Sequence, residues 1–129
     1  MHRFLLCALI LGLVSGALAQ PVTRPPTAAY QWQWTALDST GATLSFSTDI
    51  GGPTSTVWVA NDNAGGGTDL FFSFTPTCSN TAQTTGVVSS TLVLKAGEKI
   101  SYDGRYTVMT LKAAAASTVA VRVQAVQSN

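Results

Sequence analysis

Histidine is nearly missing from this chain: its single copy is His2, at the extreme N-terminus. Beyond that residue no Ser-His-Asp or Cys-His relay can be assembled, and no imidazole can ligate zinc or haem. Cysteine is almost as scarce, with Cys7 and Cys78 alone. Charge is thin as well, since Asp, Glu, Lys and Arg together make up 10% of the residues. There is no basic cluster of the kind that gives nucleic acid or anionic lipid an electrostatic footprint. A G-x-S-x-G elbow and a phosphate-cradling glycine loop are both lacking.

One long apolar run is present, and it opens the chain. His2 and Arg3 precede the stretch Phe4–Val14, and Ala17-Leu18-Ala19 before Gln20 has the small-x-small form of a cleavage site. This is the layout of a secretory signal peptide over residues 1–19, with an apolar stretch too short to span a bilayer. Cys7 lies inside that stretch after Leu6, which is the wrong place for lipidation. Removing nineteen of 129 residues leaves 110, enough for one modest core. Of seven Lys and Arg, six remain once Arg3 is gone, against six Asp and Glu, so the processed chain is neutral. Its lone Cys78 excludes a disulfide within one chain and is either buried as a small hydrophobe, left as a free thiol, or linked to another chain. The expected location is secreted or periplasmic, with no membrane contact after cleavage.

Beyond the leader, the chain reads as β-structure throughout. Residues 20–28 form a Pro-rich lead-in, and a single domain over 29–129 comes after it. The first strand is Ala29–Leu37, in which Tyr30, Trp32 and Trp34 alternate with Gln31, Gln33 and Thr35. Thr43–Thr48 continues, with Leu44 and Phe46 on one face. The stretch Thr56–Thr75 then carries two alternating runs joined by Asn61–Thr68, which reads as a hairpin with a Gly-rich loop. Its first run sets Trp58 opposite Val57 and Val59; its second sets Leu70, Phe72 and Phe74 opposite Phe71, Ser73 and Thr75. A polar stretch over Pro76–Gly86 comes next, then strands at Val87–Leu94, Glu98–Tyr102, Arg105–Lys112 and Thr118–Val126. Asp103-Gly104 is a two-residue hairpin signal between two of them. Ala113–Ala116 is too short to nucleate a helix. About seven to eight short strands predict an all-β fold, an antiparallel β-sandwich or jelly roll.

Three constellations bear on function. The six carboxylates (Asp38, Asp49, Asp62, Asp69, Glu98 and Asp103) fall mostly beside turns, where Asp and Glu serve local hydrogen bonding rather than a glycosidase-like pair. With a small sandwich offering little room for a cleft, the chain reads as no enzyme and as needing no cofactor. Asn61, Asp62, Asn63 and Asp69 crowd oxygen atoms into one Gly-rich loop, which suits calcium, although such residues also make ordinary turns. Tyr30, Trp32 and Trp34 on one strand face form either the core side of a terminal strand or a stacking platform for carbohydrate.

From Val57 onward the layout resembles small phage virion structural proteins. The matching pieces are Val57–Asn61 ahead of an Asn-containing loop, the aromatic run Asp69–Phe74, and the variable polar stretch Thr75–Ser90. They continue with Leu94-Lys95-Ala96-Gly97-Glu98, the aromatic turn Tyr102–Tyr106 and the closing Thr107–Val126. The chain departs from that pattern in its leader and in Asp62, where an Arg often follows the Asn. The resemblance implies a β-sandwich attached to a virion as head decoration or part of an appendage. It would act through self-association or contact with a larger protein assembly, without catalytic residues. A secreted carbohydrate-binding module using Tyr30, Trp32 and Trp34 is the alternative.

Overall fold

The alternation of large aromatics with glutamine produces the first strand where the sequence places it. In the computed structural model, which describes residues 29–81 and 89–128, β1 spans Ala29–Leu37. The expected signal peptide and Pro-rich lead-in lie outside the described residues. After β1 come β2 (Ala42–Ser45), one helical turn α1 (Phe46–Asp49), β3 (Thr54–Asn61) and β4 (Leu70–Ser73). The order closes with β5 (Leu92–Leu94), β6 (Lys99–Asp103), β7 (Val108–Ala113) and β8 (Val119–Gln127). They form two four-stranded antiparallel sheets, β1-β8-β3-β6 and β2-β7-β4-β5. Almost every connection passes from one sheet to the other, and this is the winding of an eight-stranded jelly roll. Of the two architectures the sequence allows, the strand order selects the jelly roll.

Two expected hairpins are therefore corrected. Thr56–Thr75 is not a hairpin: β3 pairs with β6 and β8, whereas β4 pairs with β5 and β7. A hairpin would lay both runs side by side and bury a single shared face. Crossing between sheets instead sets Val57 and Val59 against Leu70 and Phe72, and all four are buried in one cluster. Likewise, Asp103-Gly104 does not join two paired strands, because β6 and β7 belong to different sheets. Gly104 N–H still bonds the Ser55 carbonyl at 2.8 Å, so it closes the β3–β6 ladder rather than turning a hairpin.

The second strand is shorter than expected and ends in a helical turn. Asp49 Oδ2 accepts from the Ser45 N–H at 3.1 Å, and Ile50 N–H reaches the Phe46 carbonyl at 3.0 Å. Gly51 takes φ of 80°, the left-handed region that ends such a turn at little cost for glycine. The turn swings Phe46 inward, where it is fully buried and meets Trp32 edge to face at 5.8 Å. The expected strand over Val87–Leu94 shrinks to β5, and residues 87–88 of it lie outside the described residues. Ser89–Thr91 is diverted by its own hydroxyls: Thr91 N–H donates to Ser89 Oγ, and Thr91 Oγ1 accepts from Ser79 N–H.

In β4 the expected half-burial gives way to burial on both faces. The outward residue Ser73 donates to the Thr77 carbonyl at 2.6 Å, and Thr110 Oγ1 bonds the Thr75 carbonyl at 2.9 Å. Residues 75–77 thus fold back across the outer side of this sheet. The core itself is the layer between sheets, with Leu44, Met109 and Leu111 from one side and Val121, Val123 and Ala125 from the other. Among the described residues, no helix is long and apolar enough to cross a membrane.

Candidate functional site

The first sheet has an inner and an outer row at every position. Trp32 pairs with Val123, which pairs with Val59, and this row faces the core. One residue along, Gln31 pairs with Gln124, which pairs with Trp58, which pairs with Ser101. That row faces outward and carries a Gln124-to-Gln31 side-chain bond at 2.8 Å. The next outward row runs Gln33, Arg122, Ala60, Lys99.

Ala60 is the smallest residue of these rows, and its shortness matters. Between Arg122 and Lys99 it forms the floor of a shallow depression of about 380 Å³, walled by Trp58, Lys99, Ser101, Arg122 and Gln124. Trp58 remains 42% exposed there. Arg122 lines the depression and forms an ion pair with Asp62 at 2.9 Å. An indole beside a guanidinium, an ammonium and amides offers stacking and hydrogen-bond donation to whatever lies on this face. Trp58 is absent from the site residues that the sequence suggests. The signal for it is its place as a lone indole on the polar side of an alternating strand.

The three aromatics singled out from sequence occupy the inner side of β1. Tyr30, Trp32 and Trp34 stand opposite Ala125, Val123 and Val121 and pack against the core cluster, each half-buried. β1 is the outermost strand of its sheet, so the rings overhang the end of the core and are not fully enclosed.

The oxygen-rich loop is held together by its own side chains. Asn61, only 1% exposed, donates from Nδ2 to the Thr68 carbonyl at 2.8 Å and to the Leu94 carbonyl at 3.1 Å. Its Oδ1 accepts from Asn63 N–H at 3.2 Å, and Asn63 Oδ1 accepts from Ala120 N–H at 3.0 Å. Asp62 is engaged by Arg122, and Asp69 by Lys95 at 2.6 Å. All four residues expected as calcium ligands thus have protein partners. The fold brings Asn61, Asp62 and Asn63 together at the end of β3 and ties Asp69 toward β5.

Cys78 sits at the other sheet, 8% exposed, in the segment folded over β4. Burial pushes its thiol above the usual range, partly offset by a hydrogen bond with Thr91 and by the charge of Lys112. The folded chain therefore holds this proton more tightly than the unfolded one. The associated stability is fully present below the ordinary thiol range and fades as pH rises through the raised value. A thiol reagent at pH 7 should label the native protein much more slowly than the urea-unfolded chain, with the native rate climbing as pH increases. Equal rates would show that Cys78 is accessible.

A second aromatic cluster braces β6. Tyr102 contacts Phe72 at 6.0 Å and Phe74 at 5.3 Å, and Phe74 stacks on Tyr106 at 3.8 Å. Burial, and then neighbouring Tyr106, raise the Tyr102 phenol above its ordinary range.

No protein-family model matches the sequence, and no curated protein matches it. Among solved structures, a chain of the Bacillus endospore appendages, described as a novel family of disulfide-linked pili, is similar with a TM-score of 0.42. It shares 16% sequence identity, and the match covers 78% of this chain and 87% of that chain.

Proposed function

We propose that this chain is a non-enzymatic structural protein that works by pressing the outer face of its first sheet against a neighbouring subunit. The neighbour is a copy of itself or another member of a larger protein assembly. The observation that carries this reading is Trp58, which stays 42% exposed beside a depression floored by Ala60. Trp and Arg are the side chains that most often anchor protein interfaces, and here Asp62 already orders the Arg122 guanidinium. A virion is one assembly of this kind, in keeping with the phage resemblance.

Trp58→Ala should weaken association by about 2 kcal/mol, the cost of truncating an interface anchor. Sedimentation velocity reads this as a shift toward the slow species. The unfolding midpoint should barely move, because the ring is outside the core. Identical sedimentation of variant and wild type would remove the proposed role. Carbohydrate binding, the alternative, would leave sedimentation unchanged and show instead as retention on insoluble polysaccharide.

A further inference from the structure

The hydrogen-bond phase of β6 shows which of its backbone groups are left over. Asn61 N–H bonds the Glu98 carbonyl and Gly104 N–H bonds the Ser55 carbonyl, so positions 98 and 104 are hydrogen-bonded pairs with β3. The register between β3 and β6 is unbroken, and such pairs recur at every second residue. Ile100 and Tyr102 therefore face β3 with their backbone groups, while Lys99, Ser101 and Asp103 aim theirs away from it. β6 is the last strand of its sheet, and among the described residues no strand pairs with that outer side.

The side chains on this edge are ordered in a self-complementary way. Lys99 and Asp103 lie on the same outward face, two positions either side of Ser101, and Lys99, Ile100, Ser101 and Asp103 are all exposed. Neither Lys99 nor Asp103 forms an ion pair among the described residues. Asp103 Oδ1 takes a bond from Thr56 Oγ1, which holds the carboxylate in place with its second oxygen open. Edge strands are commonly shielded from pairing by charged side chains, Pro, bulges or short length. Here opposite charges are spaced so that an antiparallel copy meets them.

We infer that the partner for this edge is a second copy of the same chain, paired β6 to β6 in antiparallel register about Ser101. This rests on the proposed self-association. In that register Lys99 stands opposite Asp103 of the other copy, twice over by the two-fold symmetry. The residues then opposed, 99 with 103 and 101 with 101, are those whose backbone groups are left over. The register therefore satisfies the ladder and the charges together. On the inner side Ile100, 37% exposed in the single chain, is placed opposite Tyr102 of the copy. The two first sheets become one continuous sheet, with both Trp58 rings on its outer face. Tyr106 hydroxyl makes a long 3.5 Å contact with the Asp103 carbonyl, and that oxygen has a second lone pair for the new strand.

An edge-only contact falls in the weak size class, so the test is sedimentation equilibrium of the purified protein up to about 1 mM. Three samples are compared: wild type, Lys99→Asp, and Asp103→Lys, with unfolding midpoints measured to confirm equal folding. Wild type should dimerise reversibly and less tightly as salt rises. Each variant alone sets like charges opposite one another and should dimerise about tenfold more weakly. An equimolar mixture of the two variants restores opposite charges at both positions and should recover wild-type affinity. Wild-type dimers with unaffected variants, or weakened variants without recovery on mixing, would overturn the β6 pairing and leave self-association standing. A wild type that stays monomeric throughout would overturn the β6 pairing and self-association together, leaving only contact with a different subunit.

Discussion

Replacing Phe46 with alanine should destabilise the protein by about 3–5 kcal/mol, the range for deleting a fully enclosed phenylalanine. The ring is 0% exposed, meets Trp32 edge to face, and belongs to the cluster that joins the two sheets. Phe46 opens α1, a single turn whose first N–H is held by the Thr107 carbonyl at 2.9 Å. For a domain of this size the loss is a large share of the total stability. The melting point should fall by roughly 15–30 °C. Urea unfolding followed by tryptophan emission measures it, and the native emission should itself shift, because Trp32 loses its neighbour. Phe46→Leu, which keeps most of the volume, should cost far less. A loss below about 1 kcal/mol for the alanine variant would mean that Phe46 is not a core residue.

Asn61 gives the second large effect, for a different reason. Its amide stands at the point where the chain leaves the first sheet for the second, and it donates to the Thr68 carbonyl near the far end of that crossing and to the Leu94 carbonyl at the end of β5. Asn61→Ala leaves both oxygens without this donor, the Leu94 carbonyl in a buried setting and the Thr68 carbonyl in a part-buried one. A penalty of about 2–4 kcal/mol is expected, from one to two unmet buried groups. Asn61→Asp preserves the shape but replaces two donors by a charge facing two carbonyl oxygens. It should be worse than alanine at neutral pH and recover in part on acidification, as the carboxyl becomes neutral. Guanidinium unfolding at pH 7 and pH 4 makes the comparison. Equal stability of wild type and Asn61→Ala at pH 7 would show that the amide does not hold the crossing.

These two residues mark where sequence reading succeeds and where it stops. Phe46 is legible as sharing a face with Leu44, but neither its burial nor its place in a helical turn can be read that way. That turn depends on Asp49 reaching back to Ser45 and on Phe46 N–H finding the Thr107 carbonyl, a partner far away in the chain. Asn61 is legible as a loop residue rich in oxygen, and calcium chemistry is a reasonable expectation for it. The distant partners Leu94, Ala120, Arg122 and Lys95 engage that loop in the fold, and none can be read from a local window. Trp58 shows the same limit from the other side. Alternation separates it from Val57 and Val59, yet only its neighbours across strands, with Ala60 as a floor, make its surroundings a depression.

From the residues alone came the all-β class, the extent of β1, the grouping of Val57 with Val59 and of Leu70 with Phe72 on shared faces, and the scarcity of catalytic side chains. Each depends on near-neighbour periodicity or on composition, which a linear chain carries in full. Tertiary structure alone decided that adjacent runs oppose one another across a core instead of pairing, that β4 is closed on both sides, and that β6 is left at an edge. Strand partnership is set by which arrangement buries the most apolar surface at once, and that sum runs over the whole molecule.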